Sequence, residues 1–322
     1  MTMGARAGWL WPLVALLVLA AFPVVAPMFG FEYYIGFVRR VLIVMLAATS
    51  LNFIVGYGGM AALGHAGFIG VGAYTVAILV ESGVSSAWVA WAAAFVVSGV
   101  FAAAIGAVSL RTRGVYFLMI TLAFAQMLYY LAVSLRRFGG DDGYVLQAPL
   151  KLGSMLGLAQ GNVFYWIVLA LAVLLFVFFT RVGESRFGHA LMGIRDNETR
   201  MEALGYQVYR LKLAAFAGAG AIAGLAGALL ACNNKFVGPS LMHWTESATL
   251  LVIVVLGGLG RRWGAVFGVA IWLALAEVLK LYTDYWHWIL GVLLIGAVFL
   301  SPRGVASLLD RRHGDAAQGA GR

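Results

Sequence analysis

The apolar residues of this chain fall into ten long segments separated by short polar stretches. A transmembrane helix needs about 20 apolar residues, and fewer suffice where a helix is broken or buried among others. We therefore predict spans near residues 9–28, 40–57, 61–80, 87–109, 115–134, 162–180, 212–231, 246–258, 263–280 and 286–301. The eighth is too short to cross a bilayer alone, and glycines follow it, which predicts a re-entrant or broken element.

This pattern predicts an all-α polytopic membrane protein with about ten transmembrane helices, some short or broken, that pack through glycines. We expect a single transmembrane domain over residues 1–302 and a disordered cytoplasmic tail over residues 303–322. The first span begins like a secretory signal, with Arg6 ahead of an apolar core. Pro27 stands directly after the candidate cleavage point, and more spans follow, so we interpret this segment as a retained helix.

The longest charged segment, residues 181–212, lies between the sixth and seventh spans. Its charged residues are Arg181, Arg186, Arg195, Arg200, Arg210 and Lys212 against Glu184, Asp196, Glu198 and Glu202. A net-basic segment between apolar spans is typical of a cytoplasmic loop. It is either a solvated connection or a docking surface for a soluble partner, and the apolar residues among its charges favour docking.

Two short amphipathic helices are predicted within this loop. Phe187, Leu191 and Ile194 recur at helical spacing. Asp196 and Asn197 both offer N-caps for a second short helix, which is expected to reach Leu204 and to end at Gly205.

Composition supports the membrane assignment. Hydrophobic residues make up 63% of the chain and charged residues 11%, with a mean hydropathy of +0.93. Ordinary globular proteins contain roughly 45–50% apolar residues. The formal net charge of +9 lies mostly in short loops, so it reports orientation and requires no nucleic-acid partner. The single cysteine, Cys232, excludes an internal disulfide and a multi-cysteine zinc site.

The distribution of Lys and Arg predicts that both termini are cytoplasmic. In that orientation 15 of the 22 basic residues lie inside and seven outside, as the positive-inside rule requires. The outer seven are Arg39, Arg40, Arg136, Arg137, Lys151, Lys235 and Lys280. Arg39 and Arg40 argue locally against this orientation.

The second and third spans contain a glycine-rich stretch, LNFIVGYGGMAALGHAGFIGVGAYTVAIL, at residues 51–79. Glycines let helix backbones approach closely in a membrane, so we predict tight packing and partial unwinding here. The helix-packing glycines predicted along the whole chain are Gly64, Gly70, Gly220, Gly224, Gly260, Gly264 and Gly268.

Five polar residues inside the predicted spans are candidates for a translocation pathway: Asn52, Tyr57, His65, Thr121 and Gln126. Polar groups are unfavourable in lipid unless they face a cavity or a neighbouring helix. For His65 a structural hydrogen bond between helices is favoured over a substrate contact. Thr121 and Gln126 either line a path for a zwitterion or bond to a neighbouring helix.

Catalytic and metal-binding signatures are absent from the sequence. There is no GxxxxGK[ST] phosphate loop, and the five histidines are scattered rather than spaced as metal ligands. Asp141 and Asp142 invite a metal hypothesis, but metal loops supply more oxygen ligands at defined spacing. A turn or a contact with an extracytoplasmic partner is favoured there. We expect no catalytic residues, no metal and no cofactor.

Six motifs carry a resemblance that covers nearly the whole chain. They are LNFIVGYGGMAALGHAGFIGVGAYT, RTRGVYFLMITLAFAQM, GGDDGY, SRFGHALMGIRDNETRMEALGYQVYRLKLAAF with AGLAGAL after it, VVLGGLGRRWGAVFG and LGVLLIGAVFLSPRG. In this order and spacing the chain resembles the LivM/LivH family, the inner-membrane permease subunits of branched-chain amino acid ABC importers.

The resemblance implies a multi-pass protein of the bacterial inner membrane that works with other chains. The implied partners are a second related permease in a heterodimer, two cytoplasmic ABC ATPase subunits and a periplasmic solute-binding protein. Glu202, Ala203 and Gly205 resemble the loop segment that meets the ATPase. The expected coupling residues are Arg195, Asp196, Glu198, Glu202, Ala203, Leu204 and Gly205.

Two other functional classes and the identity of the solute stay open. A secondary transporter driven by an ion gradient predicts acidic groups near mid-membrane, yet Glu246 and the other acidic groups are predicted near span ends. A membrane enzyme of lipid metabolism predicts an acidic metal cluster, for which Asp141 and Asp142 are too little. The resemblance implies a branched-chain amino acid, urea, an amide or an aromatic acid as solute. The mildly polar candidates suit a small, uncharged or zwitterionic solute and do not choose among these.

Overall fold

The computed structural model describes residues 16–30, 32–146, 150–151, 161–283 and 285–300. In these residues the chain forms helices α1 (Leu16–Phe29), α2 (Glu32–Asn52), α3 (His65–Glu81), α4 (Ala87–Ser109), α5 (Val115–Ser134), α6 (Gly161–Glu184), α7 (Arg186–Asp196), α8 (Glu198–Ala203), α9 (Val208–Asn234), α10 (Trp244–Gly257), α11 (Gly264–Tyr282) and α12 (Trp286–Leu300), together with two-residue strands β1 (Tyr144–Val145) and β2 (Phe236–Val237). The predicted tail at 303–322 lies outside the described residues.

Six helices in this part of the chain are long and apolar enough to cross a membrane: α2 with its extension to Tyr57, α4, α5, α6, α9 and α11. α1, α3, α10 and α12 are shorter. Every predicted apolar segment contains a helix, and the all-α polytopic fold is confirmed, but the count of ten spans is not. The 14 residues of α10, for example, extend about 21 Å, against a hydrocarbon core of about 30 Å.

Helix α9 lies at the centre of the bundle, packed against α4, α3 and α2. Its small residues allow this. A Cβ on Gly227 would overlap the Ile69 carbonyl of α3, and one on Gly224 would overlap the Ser98 side chain of α4. The backbones are therefore in direct contact, as the small-residue pattern predicts. α2, α6, α10 and α11 form a second group around α2.

The predicted unwinding between the second and third spans is confirmed. α2 continues as a π-helical turn over Phe53–Tyr57, residues 58–64 are not helical, and α3 starts only at His65. This irregular backbone is mostly buried within the protein, where its polar groups can find partners. One of these is Thr121 of α5, whose hydroxyl accepts a hydrogen bond from the Leu63 N–H at 3.3 Å.

One end of the bundle carries the turn with the two aspartates. β1 and β2 pair antiparallel there, with Tyr144 opposite Val237. Arg137 donates to the Glu81 carboxylate at 2.7 Å, and this hydrogen bond raises the pKa of Arg137 above its usual range. Among the described residues no group of three or more His, Cys, Asp and Glu side chains could hold a metal ion. The GGDDG motif forms a turn.

Helix α10 starts inside the bundle rather than at its edge. The Ser247 hydroxyl accepts a hydrogen bond from the Ala66 N–H at 2.9 Å. Ala66 is near the start of α3, and the 15 residues from it to Glu81 extend about 22 Å. The connection from β2 to α10 therefore enters the bundle, which agrees with the predicted re-entrant element. Glu246, next to Ser247, lies in the first turn of α10 and is exposed.

Candidate functional site

The loop at 181–212 forms the two short helices that its sequence predicts. The Ser185 hydroxyl caps α7 by accepting from the Gly188 N–H at 3.4 Å. The Asn197 side chain caps α8 by accepting from the Arg200 N–H at 2.9 Å. Gly205 follows α8 with a φ of 85°, a left-handed conformation in which glycine has no steric cost. Both helices and the stop at Gly205 thus follow from local side-chain chemistry.

Glu198 fixes α8 to the membrane helices. Its carboxylate lies 2.8 Å from the Lys212 ammonium on α9 and 3.3 Å from Arg113 in the α4–α5 connection. The Glu198 and Lys212 side chains are only 20% and 13% exposed. An ion pair this shielded from water is screened less by salt than a surface pair. Glu202 is more exposed and lies 4.0 Å from Arg113.

Arg195 connects α7 to the unwound end of α2. Its guanidinium donates a hydrogen bond to the Gly56 carbonyl in the π-helical turn. Its aliphatic part covers Gly59, where a Cβ would lie 2.6 Å from the Arg195 Cγ. The guanidinium also pairs with Asp196 at 3.2 Å. The charged loop therefore touches the irregular backbone inside the bundle.

Asn52 connects the same turn to the α10–α11 connection. Its amide oxygen accepts from the Gly260 N–H at 2.9 Å, and its amide nitrogen donates to the Arg261 carbonyl at 3.0 Å. Gly56 and Gly260 are so close that a Cβ on Gly56 would overlap the Gly260 backbone. The ion pair of Arg262 with Glu184 links this connection to α6. Asn52 is thus engaged with neighbouring backbone.

The other predicted pathway residues lie in different surroundings. His65 is fully buried, with its Nε2 2.8 Å from the Ser50 hydroxyl, and so bonds to a neighbouring helix. Tyr57 packs against Gly183: a Cβ on Gly183 would lie 2.8 Å from the Tyr57 ring. Thr121 is fully buried and donates to the Leu118 carbonyl at 3.0 Å. Gln126 is half-buried, and within the described residues its Nε2 has no hydrogen-bond partner.

A cavity of about 350 Å³ lies between α2, α10, α11 and α12. Charged and titratable side chains line it: Arg40, Glu246, Glu277, Lys280 and His287. The five predicted pathway residues lie outside it. The sequence predicts Glu246, Glu277 and Lys280 near span ends, but it does not indicate that these ends meet around a cavity. The signal that could have identified them is the clustering of ionisable residues within apolar segments.

The surface of α8 that faces away from the bundle combines charged and apolar groups. Leu204 and Tyr206 are 66% and 49% exposed, and Glu202, Ala203 and Gly205 beside them are exposed as well. Exposed apolar side chains on a charged loop are a typical feature of protein–protein contacts.

Comparisons with known proteins identify similar chains. A family model described as "Branched-chain amino acid transport system / permease component" matches residues 33–298. The high-affinity branched-chain amino acid transport system permease protein LivM of Salmonella typhimurium is 28% identical over 318 residues, which cover 91% of this chain and 74% of the relative. LivM of Escherichia coli is 28% identical over 316 residues with the same coverage. A probable LivM of Methanocaldococcus jannaschii is 32% identical over 152 residues, 46% of this chain and 44% of the relative. No solved structure matches the chain.

Proposed function

Because the chain belongs to the family of branched-chain amino acid transport system permease components, we propose that it is the permease subunit of an ATP-driven importer for branched-chain amino acids. It is a multi-pass protein of the inner membrane. In this proposal it forms the translocation pathway, and a separate ATPase drives it through the loop at 181–212. Both termini are cytoplasmic.

The observation that carries the coupling proposal is the unbroken series of contacts from the loop to two irregular segments. Arg195 bonds to Gly56 in the turn after α2, and Asn52 in the same region bonds to both Gly260 and Arg261. Glu198 joins α8 to α9 through Lys212. Closure of an ATPase dimer would therefore displace α7 and α8, and these contacts would pass the displacement to α2, α9 and the α10–α11 connection.

The proposed ATPase and solute-binding protein dock at opposite ends of the helix bundle. The ATPase docks on Leu204 and Tyr206, which are apolar and exposed on the charged loop. A solute-binding protein docks at the other end, where β1 and β2 meet and Val145 is 62% exposed. A second, related permease and a second ATPase complete the assembly.

The test is co-purification from native membranes with an ATPase assay. Leu204→Asp places a charge in the proposed docking surface without touching the bundle, and we expect it to release the ATPase. Val145→Asp is the matched control, because it makes the same kind of change at a similarly exposed position at the opposite end. Retention of the ATPase by Leu204→Asp would remove this surface from the proposal.

A gradient-driven carrier is the second candidate, and one observation favours it. Glu246 lines the cavity between the helices, where a coupling ion would need a carboxylate. Uptake into proteoliposomes separates the two candidates. The importer requires ATP inside together with the ATPase, whereas the carrier requires only a proton or sodium gradient and no second chain.

A further inference from the structure

We propose that the cavity between α2, α10, α11 and α12 binds the transported solute as a zwitterion with an aliphatic side chain. This inference rests on the proposed function, to which it adds a binding site within this chain. It uses residues outside the pathway candidates that the sequence suggested.

The walls of the cavity change from charged to apolar along each helix. On α2, Arg40 is followed by Ile43 and then Ala47 at intervals of one turn. On α10, Glu246 is followed by Leu250 and Ile253. All of these residues line the cavity. One part can therefore receive charged groups while the other encloses an aliphatic side chain, which is the distribution of polarity in a branched-chain amino acid.

Arg40 and Glu246 supply the two charges that an α-amino acid needs. Within the described residues, Glu277 already accepts from the Tyr33 hydroxyl at 3.2 Å, and Lys280 lies 4.7 Å from the centre of the Trp286 ring. Arg40 and Glu246 form no ion pair in the part of the chain described, although both are exposed to the cavity. Arg40 is placed to receive a carboxylate and Glu246 an ammonium group.

Size and polarity distinguish this solute from a lipid. About 350 Å³ is at the small end of the usual range for small-molecule sites, roughly 300–1,000 Å³, which suits a solute as small as an amino acid. Charges of both signs in the cavity lining, such as Arg40 and Glu246, would also make unfavourable neighbours for an acyl chain.

The first measurement is equilibrium binding of radiolabelled leucine to the intact complex in nanodiscs, without ATP and without a binding protein. The second is ATP-driven uptake by the same variants in proteoliposomes. We expect Arg40→Gln and Glu246→Gln each to raise the Kd about tenfold to a hundredfold, because each removes one charge-assisted contact. Arg136→Gln, an exposed arginine outside the cavity, should leave the Kd unchanged.

Gly291→Phe tests the cavity by filling it. Gly291 lines the cavity, and a Cβ there would meet no atom within 4 Å, so the helix can accept the larger side chain. Gly296→Phe is the matched control on the same helix, since Gly296 has equally open surroundings but does not line the cavity. We expect leucine binding to be lost in the first variant and retained in the second.

The outcomes separate this inference from the proposed function. Wild-type Kd and KM values in all three cavity variants, with ATP-driven uptake intact, would overturn the inference and leave the importer standing. A phospholipid found by native mass spectrometry, displaced by Gly291→Phe but not by leucine, would also overturn it. Absence of an ATPase partner and of ATP-driven uptake in the wild type would instead refute the importer.

Discussion

The guanidinium of Arg195 donates a hydrogen bond to the backbone carbonyl of Gly56, 139 residues earlier in the chain. This contact joins a helix of the charged loop to a π-helical turn at the end of a membrane helix. Carbonyls in such irregular backbone lack regular helical partners, and a charged donor from outside satisfies one of them.

Arg195→Met keeps the aliphatic cover over Gly59 and removes the hydrogen bond to Gly56. We expect the ATPase to remain bound, while ATP-driven uptake falls about tenfold because loop movement no longer reaches α2. The ratio of uptake to ATP hydrolysis measures this. Arg200→Met is the control, since Arg200 is exposed in the same loop and its side chain makes no hydrogen bond or ion pair in the described residues. Equal ratios in the two variants would contradict the role of Arg195.

Asn52→Leu removes both hydrogen bonds to the α10–α11 connection and leaves the Gly260 N–H and the Arg261 carbonyl without this partner. A buried backbone group without a hydrogen-bond partner lowers the free energy of unfolding by about 1–3 kcal/mol. We expect a lower melting temperature and faster proteolysis at residues 258–263. If Asn52→Leu melts like the wild type, the connection is held by other contacts.

Gly56→Ala adds one methyl group where Gly260 backbone already lies in contact. Because backbone cannot rotate away as a side chain can, we expect about 1–3 kcal/mol of destabilisation. Thermal unfolding monitored by tryptophan fluorescence checks this. Gly218→Ala on α9 is the control, because a Cβ there meets no atom within 4 Å and alanine favours the helix. The opposite order of stability would refute the close contact of Gly56 with Gly260.

Gly205→Val tests the stop after α8. Nothing lies within 4 Å of a Cβ there, so any effect comes from the φ of 85°, which a β-branched residue avoids at a cost of about 1–2 kcal/mol. We expect α8 to shift and ATP hydrolysis to continue without uptake. Gly205→Asn should retain coupling, because asparagine tolerates the left-handed conformation. Coupled transport in Gly205→Val would exclude the loop conformation from the mechanism.

The elements that sequence predicts best are those determined by local chemistry. Asn197 caps the start of α8, and Gly205 follows its end, as the sequence predicts. The helix that contains Thr121 has the same limits as the predicted span at 115–134. The position of α10 among its neighbours could not be predicted from local chemistry. An apolar segment of 14 residues shows that a helix is short, but only contacts with distant residues such as Ala66 reveal which depth it occupies.

In the candidate site, too, some contacts could be predicted from the sequence and others could not. That His65 bonds to a neighbouring helix could be expected, because a buried imidazole in an apolar span needs a partner. That Asn52 meets residues 260 and 261, more than 200 positions later, could not, because no periodicity encodes such a contact. The cavity around Arg40 is also a product of tertiary packing.

The direct contact of α9 with α3 and α4 restricts where the protein can bend. Between Gly227 and the Ile69 carbonyl there is no side chain that could change rotamer to absorb a displacement, so these three helices are expected to move as one stiff body. Bending must then occur where the backbone is already irregular, at residues 58–64 and 258–263. Arg195 contacts the first segment at Gly59 and Asn52 contacts the second at Gly260 and Arg261, so we expect these two segments to act as hinges.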